Sequence, residues 1–108
     1  MKSTDNQALV ACIEGCFDFS MDGRLTQSRR DQMLVLGKRL RGSLINLLTA
    51  EFADDLQEID DANQQLRAVN KMLAAANEAI NKIADTVKTI NRLVTSLDKL
   101  LAFAVGFK

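Results

Sequence analysis

Residues 59–104, IDDANQQLRAVNKMLAAANEAINKIADTVKTINRLVTSLDKLLAFA, carry the pattern that decides the fold. Every seventh residue from Ile59 is apolar: Ile59, Leu66, Leu73, Ile80, Val87, Val94 and Leu101. So is the residue three places after each: Ala62, Val69, Ala76, Ile83, Ile90, Leu97 and Ala104. Apolar residues at this alternating three-and-four spacing form the seam of a helix that packs on another helix. Between Ser43 and Val105 there is no glycine or proline, and the composition favours helix throughout. The segment therefore reads as one helix over residues 43–104, about 90 Å long at 1.5 Å per residue. Such a helix cannot cover its own stripe. The pattern predicts an oligomeric coiled coil or helical bundle, with Ile59 to Leu101 of both series at the oligomer interface.

The flanks of the seam refine that expectation. Asn63, Asn70, Asn77 and Asn91 share one column beside it, suited to a hydrogen-bonded ladder that fixes register between helices. The other flank, Met72, Ala79, Thr86, Leu93 and Leu100, grows more apolar toward the C-terminus. A wide apolar face favours a trimer, a tetramer or an antiparallel bundle over a simple dimer.

Upstream, the seam continues through Phe52, Leu48 and Ile45, with Asp55 as a defect, and then lands on Arg41 and Lys38. The apolar set there is instead Met33, Leu36, Leu40, Leu44 and Leu47, so the phase slips near Gly42-Ser43, with Ser43 a possible N-cap. Two units follow: a helical head over 1–42 (helix 5–17, loop 18–26, helix 27–41) and a long coiled-coil helix over 43–108. Charge is blocked along the chain. Residues 24–41 carry six bases and one acid, and residues 51–61 carry six acids and no base. A turn at Gly42-Ser43 would bring Arg29 and Arg30 near Asp54 and Asp55, and Arg24 near Asp60.

Composition narrows the function. The 108 residues include 14 Lys plus Arg and 14 Asp plus Glu, so the net charge is zero, which argues against a nucleic-acid binder. The 32 Leu, Ile, Val and Phe residues exclude a disordered chain. Histidine is absent, as are a phosphate-binding loop and any paired base and nucleophile, so no catalytic or cofactor-binding residue is expected. Cys12 and Cys16, four apart on a helix, read as small buried side chains in a reducing compartment. Leu9-Val10-Ala11-Cys12 has the form of a lipoprotein box, but Asp5, Asn6 and Gln7 stand where the apolar leader belongs. The expected location is cytoplasmic.

Two further segments carry alternatives. Asp18-Phe-Ser20-Met-Asp22-Gly23-Arg-Leu25-Thr26 resembles the first nine positions of an EF-hand calcium loop, with Asp18, Ser20 and Asp22 at ligand positions and Arg29 where the bidentate glutamate would stand. The other reading of this loop is a turn between helices, with Thr26 or Ser28 as the next cap. Leu100 to Phe107 is apolar, too short to span a bilayer, and suited either to closing a core or to entering a membrane interface. The leading expectation is a non-enzymatic scaffold, adaptor or accessory subunit with a homo-oligomeric stem and a possible protein partner. A peripheral membrane or pore-associated protein using Leu100 to Phe107 comes second, and a calcium-responsive module third.

Overall fold

The computed structural model describes residues 1–107. Four helices dominate it: α1 (Asn6–Ser20), α2 (Gln27–Leu47), α3 (Gln57–Glu78) and α4 (Ile83–Leu100). Single 3-10 turns lie at Ile80–Lys82 and Leu101–Phe103. Two short strands, β1 (Ala50–Glu51) and β2 (Gly106–Phe107), pair antiparallel. The first two helix starts are capped by side chains: Asp5 accepts from the Ala8 N–H and Thr26 from the Arg29 N–H, each at 3.1 Å. Glu58 and Asp60 in the first turn of α3 suit its positive dipole end.

The long helix expected over residues 43–104 is two helices folded back on each other. The bundle measures 43 × 20 × 19 Å, half the length a continuous helix would need. The chain leaves the helix at Ala79 (φ −137°, ψ 93°) and re-enters it one turn later. That turn preserves the heptad count, so the seam passes through the hairpin in phase. Arg24 holds the end of α3, donating from Nη1 to the Asn77 carbonyl and from Nη2 to Asn77 Oδ1, both at 2.9 Å.

The division at residues 42–43 also changes. Helix α2 runs unbroken through Gly42 and Ser43 to Leu47, and Ser43 Oγ donates back to the Arg39 carbonyl instead of capping a new helix. The reversal comes at residues 48–56. Phe52 is fully buried there, its backbone bridged to Lys2 in both directions at 2.7 Å, and Val105 donates to the Glu51 carbonyl. The turn lies where Asp55 interrupted the seam.

Moving the reversal moves the charges. Arg29 and Arg30 start α2 at one end of the bundle, while Asp54 and Asp55 precede α3 at the other, so the predicted pairs do not form. Arg29 bonds Gln32; Arg30 bonds the Leu25 carbonyl and Gln27. Asp54 pairs with the N-terminal ammonium at 2.8 Å, and Asp60 with Lys2 at 2.9 Å.

The helices form two antiparallel hairpins, α1–α2 and α3–α4, laid face to face so that α1 packs beside α3 and α2 beside α4, each pair parallel. Small residues set the closest approaches. A Cβ on Gly37 would lie 2.8 Å from the Phe17 ring, and one on Gly15 would lie 2.9 Å from Leu73 Cδ1. The seam residues Ile59, Ala62, Leu66, Val69, Leu73, Ala76, Ile83, Val87, Ile90, Val94 and Leu97 are buried in this core, with Ile80 and Leu101 partly covered. The stripe that demanded a partner finds it within the same chain.

Candidate functional site

The two parallel helix pairs are closed by different chemistry. Between α1 and α3, three of the four column asparagines bond across. Asn63 Oδ1 accepts from the Asp5 N–H at 2.7 Å, and its Nδ2 donates to the Ser3 carbonyl. Asn70 Nδ2 donates to the Ala8 carbonyl at 3.0 Å, and its Oδ1 accepts from Cys12 Sγ at 3.2 Å. Asn77 holds Arg24, which closes the hairpin end. Arg67 adds an ion pair to Asp5. This ladder fixes helix register inside one chain.

Asn91, the fourth, has no such partner. Its Nδ2 donates to the Val87 carbonyl of its own helix. Between α2 and α4 the polar bridges are confined to one end, where Asp98 meets Arg39 at 3.7 Å and Ser43 at 3.5 Å. The rest of that junction is open. A groove of about 580 Å³ runs along it, with Val35 and Leu36 among its walls, Ser28, Asp31 and Gln32 toward one end, and Arg39 and Asn91 on its sides.

The surface charge follows the same division. Helix α2 carries five bases and one acid, and α4 three bases and two acids. Helix α1 carries two acids and no base, and α3 four acids and two bases. A chain of zero net charge thus presents a basic face with an open groove and an acidic face zipped by asparagines. Apolar side chains are exposed on both sides, Val10 and Met21 at α1 among them. Leu34, Val35 and Ile45 of α2 and Leu48 just after it are exposed, Val35 by 55% and Ile45 by 70%. Phe103, Val105 and Phe107 follow α4 at the end nearest Leu48 and are also exposed. Of the C-terminal run, Leu100 is buried in the core, and the residues after it largely are not.

The loop that resembles a calcium site is otherwise engaged. Asp18 and Ser20 belong to the last turn of α1, where Ser20 Oγ donates to the Phe17 carbonyl. Asp22 is gripped by the Arg24 guanidinium at 2.6 Å, which holds its carboxyl down at about 2. An arginine placed over the carboxylate occupies the oxygens that a cation would need. Thr26, not Ser28, caps α2. Among the described residues no three His, Cys, Asp or Glu side chains are grouped to hold a metal.

Cys12 and Cys16 are unpaired and buried in the α1 core face, and burial pushes both thiols up to about 12. A thiol that cannot ionise is a poor nucleophile. Both are expected to stay unreacted toward an aromatic disulfide reagent in the folded protein at mildly alkaline pH. In denaturant both should react at once. Fast reaction of either in the native state would show that α1 opens locally.

The sequence marked the asparagine column but not the groove, because the groove's walls come from two helices that only the fold makes neighbours. Comparison with known proteins finds no family model, no curated protein and no solved structure that matches the chain. No helix among the described residues is long and apolar enough to cross a membrane.

Proposed function

We propose that the chain is a non-enzymatic interaction module, acting as scaffold, adaptor or accessory subunit, whose docking surface is the basic α2–α4 face. The open groove between α2 and α4, walled by Val35 and Leu36, is the observation that carries this reading. A cleft with apolar walls left open between two helices is a place where a partner's side chain can be buried. Bases outnumber acids eight to three on α2 and α4, which favours acidic chemistry in the partner, while the charged walls of the groove itself, Asp31 and Arg39, balance. Two unpaired buried thiols fit a reducing, cytoplasmic setting.

A photo-crosslinking amino acid at Val35 tests the reading in the source cells, with the same group at Ala68 on exposed α3 as control. Discrete adducts from position 35 and none from position 68 are expected. Equal yields from both positions, or none from either, would remove the α2–α4 face as a docking surface.

A peripheral membrane role has one observation in its favour, the exposed Phe103, Val105 and Phe107 close to Leu48. Against it, Glu51, Asp55, Glu58 and Asp61 sit at that same end and have no ion-pair partner among the described residues. Carboxylates there repel an anionic bilayer. Flotation with phosphatidylglycerol vesicles separates the two readings.

A further inference from the structure

We infer that this chain also forms a dimer by exchanging α4 with a second copy. Residues 79–82 straighten, α3 and α4 join into one helix, and α4 of each copy packs on α3 of the other. The inference does not depend on what binds the α2–α4 groove.

The hinge is built from helix-compatible parts. Ala79 alone separates α3 from the 3-10 turn Ile80–Lys82, which runs directly into α4. Helices commonly end on a glycine in the left-handed region. Here no described residue, glycine included, has a positive φ. Ala79 is extended (φ −137°, ψ 93°), while Lys82 (φ −81°, ψ −5°) and Ile83 (φ −62°, ψ −32°) already lie in the helical region. Alanine has the highest helix propensity of any residue. Neither the 3-10 turn nor α4 has a side chain capping its first N–H groups. Straightening pairs those groups with the last carbonyls of α3.

The apolar seam is also ready for the straight form. Ala76, Ile80, Ile83 and Val87 keep the four-three-four spacing across the hinge, so one helix from Gln57 to Leu100, about 66 Å long, carries an unbroken stripe. In the hairpin α3 and α4 already run antiparallel. Two straight helices therefore align antiparallel about a two-fold axis near Ile80, and each half rebuilds the four-helix packing with α4 supplied by the partner. Ile80, only partly covered in the monomer, meets its own copy at that axis. Everything after the hinge crosses over, so β2 pairs with β1 of the other chain, and the α4 wall of each α2–α4 groove also comes from the second copy.

Arg24 opposes the exchange. It bonds the Asn77 carbonyl at 2.9 Å, and in a continuous helix that carbonyl accepts from the Asn81 N–H instead. Core contacts are alike in the two forms, so concentration, this latch and the hinge set the balance between them.

The test is to unfold the intact chain, refold it at high concentration and measure mass by sedimentation velocity. A species of twice 11.9 kDa with the circular dichroism of the monomer is expected. Asp61 and Lys99 line one cleft between α3 and α4, where a carbodiimide can join them. When isotopically light and heavy chains are refolded together, Asp61–Lys99 crosslinks should pair light with heavy in the dimer and be of one isotope in the monomer. Arg24→Ala should raise the dimer fraction. Insertion of Gly-Ser-Gly after Ala79 lengthens the turn, breaks the helix and puts the seam out of phase, so that variant should stay folded and monomeric. The inference is overturned by a mass of 11.9 kDa for both the intact chain and Arg24→Ala after concentrated refolding. It is equally overturned by a dimer with only single-isotope crosslinks, or by an insertion variant that dimerises as the intact chain does.

Discussion

Ile90→Asp is expected to leave the chain unfolded at 25 °C. Ile90 is fully buried midway along α4, where α3 and α2 both close over it. The carboxylate has no cation beside it and must either stay charged out of water or take up a proton. Either costs several kcal/mol. Removal of the isoleucine side chain from a packed core adds about 2–5 kcal/mol. A domain of this size has about 5–15 kcal/mol of stability in total, so the two losses together consume it. Ile45→Asp makes the same chemical change on a residue 70% exposed, and should shift stability by no more than about 0.5 kcal/mol. Far-ultraviolet circular dichroism with urea titration distinguishes them. A cooperative native-like melt for Ile90→Asp would mean that the α3–α4 seam is not the core.

That seam was legible in the sequence, and its residues are those buried in the structure. The identity of its partner was not. A stripe continuing in phase from Leu73 through Ile80 to Val87 is equally consistent with one helix facing a second chain and with two helices facing each other. The choice is made at Ala79, which carries no turn signal of its own. The capping group is Arg24, some fifty residues earlier in the loop between α1 and α2, which donates to the Asn77 carbonyl. Local sequence cannot report an end cap supplied from another loop. The reversal before α3 did leave a trace, since Asp55 was the one clear break in the upstream seam. Gly15 and Gly37 are close-packing positions in helix interiors, where Leu73 and the Phe17 ring take the space of a side chain. The groove was the least legible feature, because Val35, Arg39 and Asn91 come from helices that only the folded topology makes neighbours.

The asparagine column yields the second large effect, and one with a pH signature. Asn70→Asp should destabilise the protein by about 2–3 kcal/mol at neutral pH, the cost of opposing an unpaired polar or charged group to a buried partner. The amide donates from Nδ2 to the Ala8 carbonyl at 3.0 Å, while Cys12 donates to Oδ1. A carboxylate keeps the second bond and loses the first, placing two acceptors against each other on the acidic α1–α3 face. The folded protein therefore disfavours the charged form, and the pKa of the new carboxyl is raised above its unfolded value of about 3.9. The sign follows: the deficit is full above the raised folded value. It shrinks as pH falls through that value toward 3.9, because the protonated group again donates to the Ala8 carbonyl. Asn91→Asp, whose amide bonds only its own helix and whose surroundings are basic, should be close to neutral at every pH. Urea midpoints for both variants at neutral and acidic pH make the comparison. If Asn91→Asp proves as damaging as Asn70→Asp, or the Asn70→Asp deficit persists in acid, the ladder does not hold α1 to α3 in the way its geometry indicates.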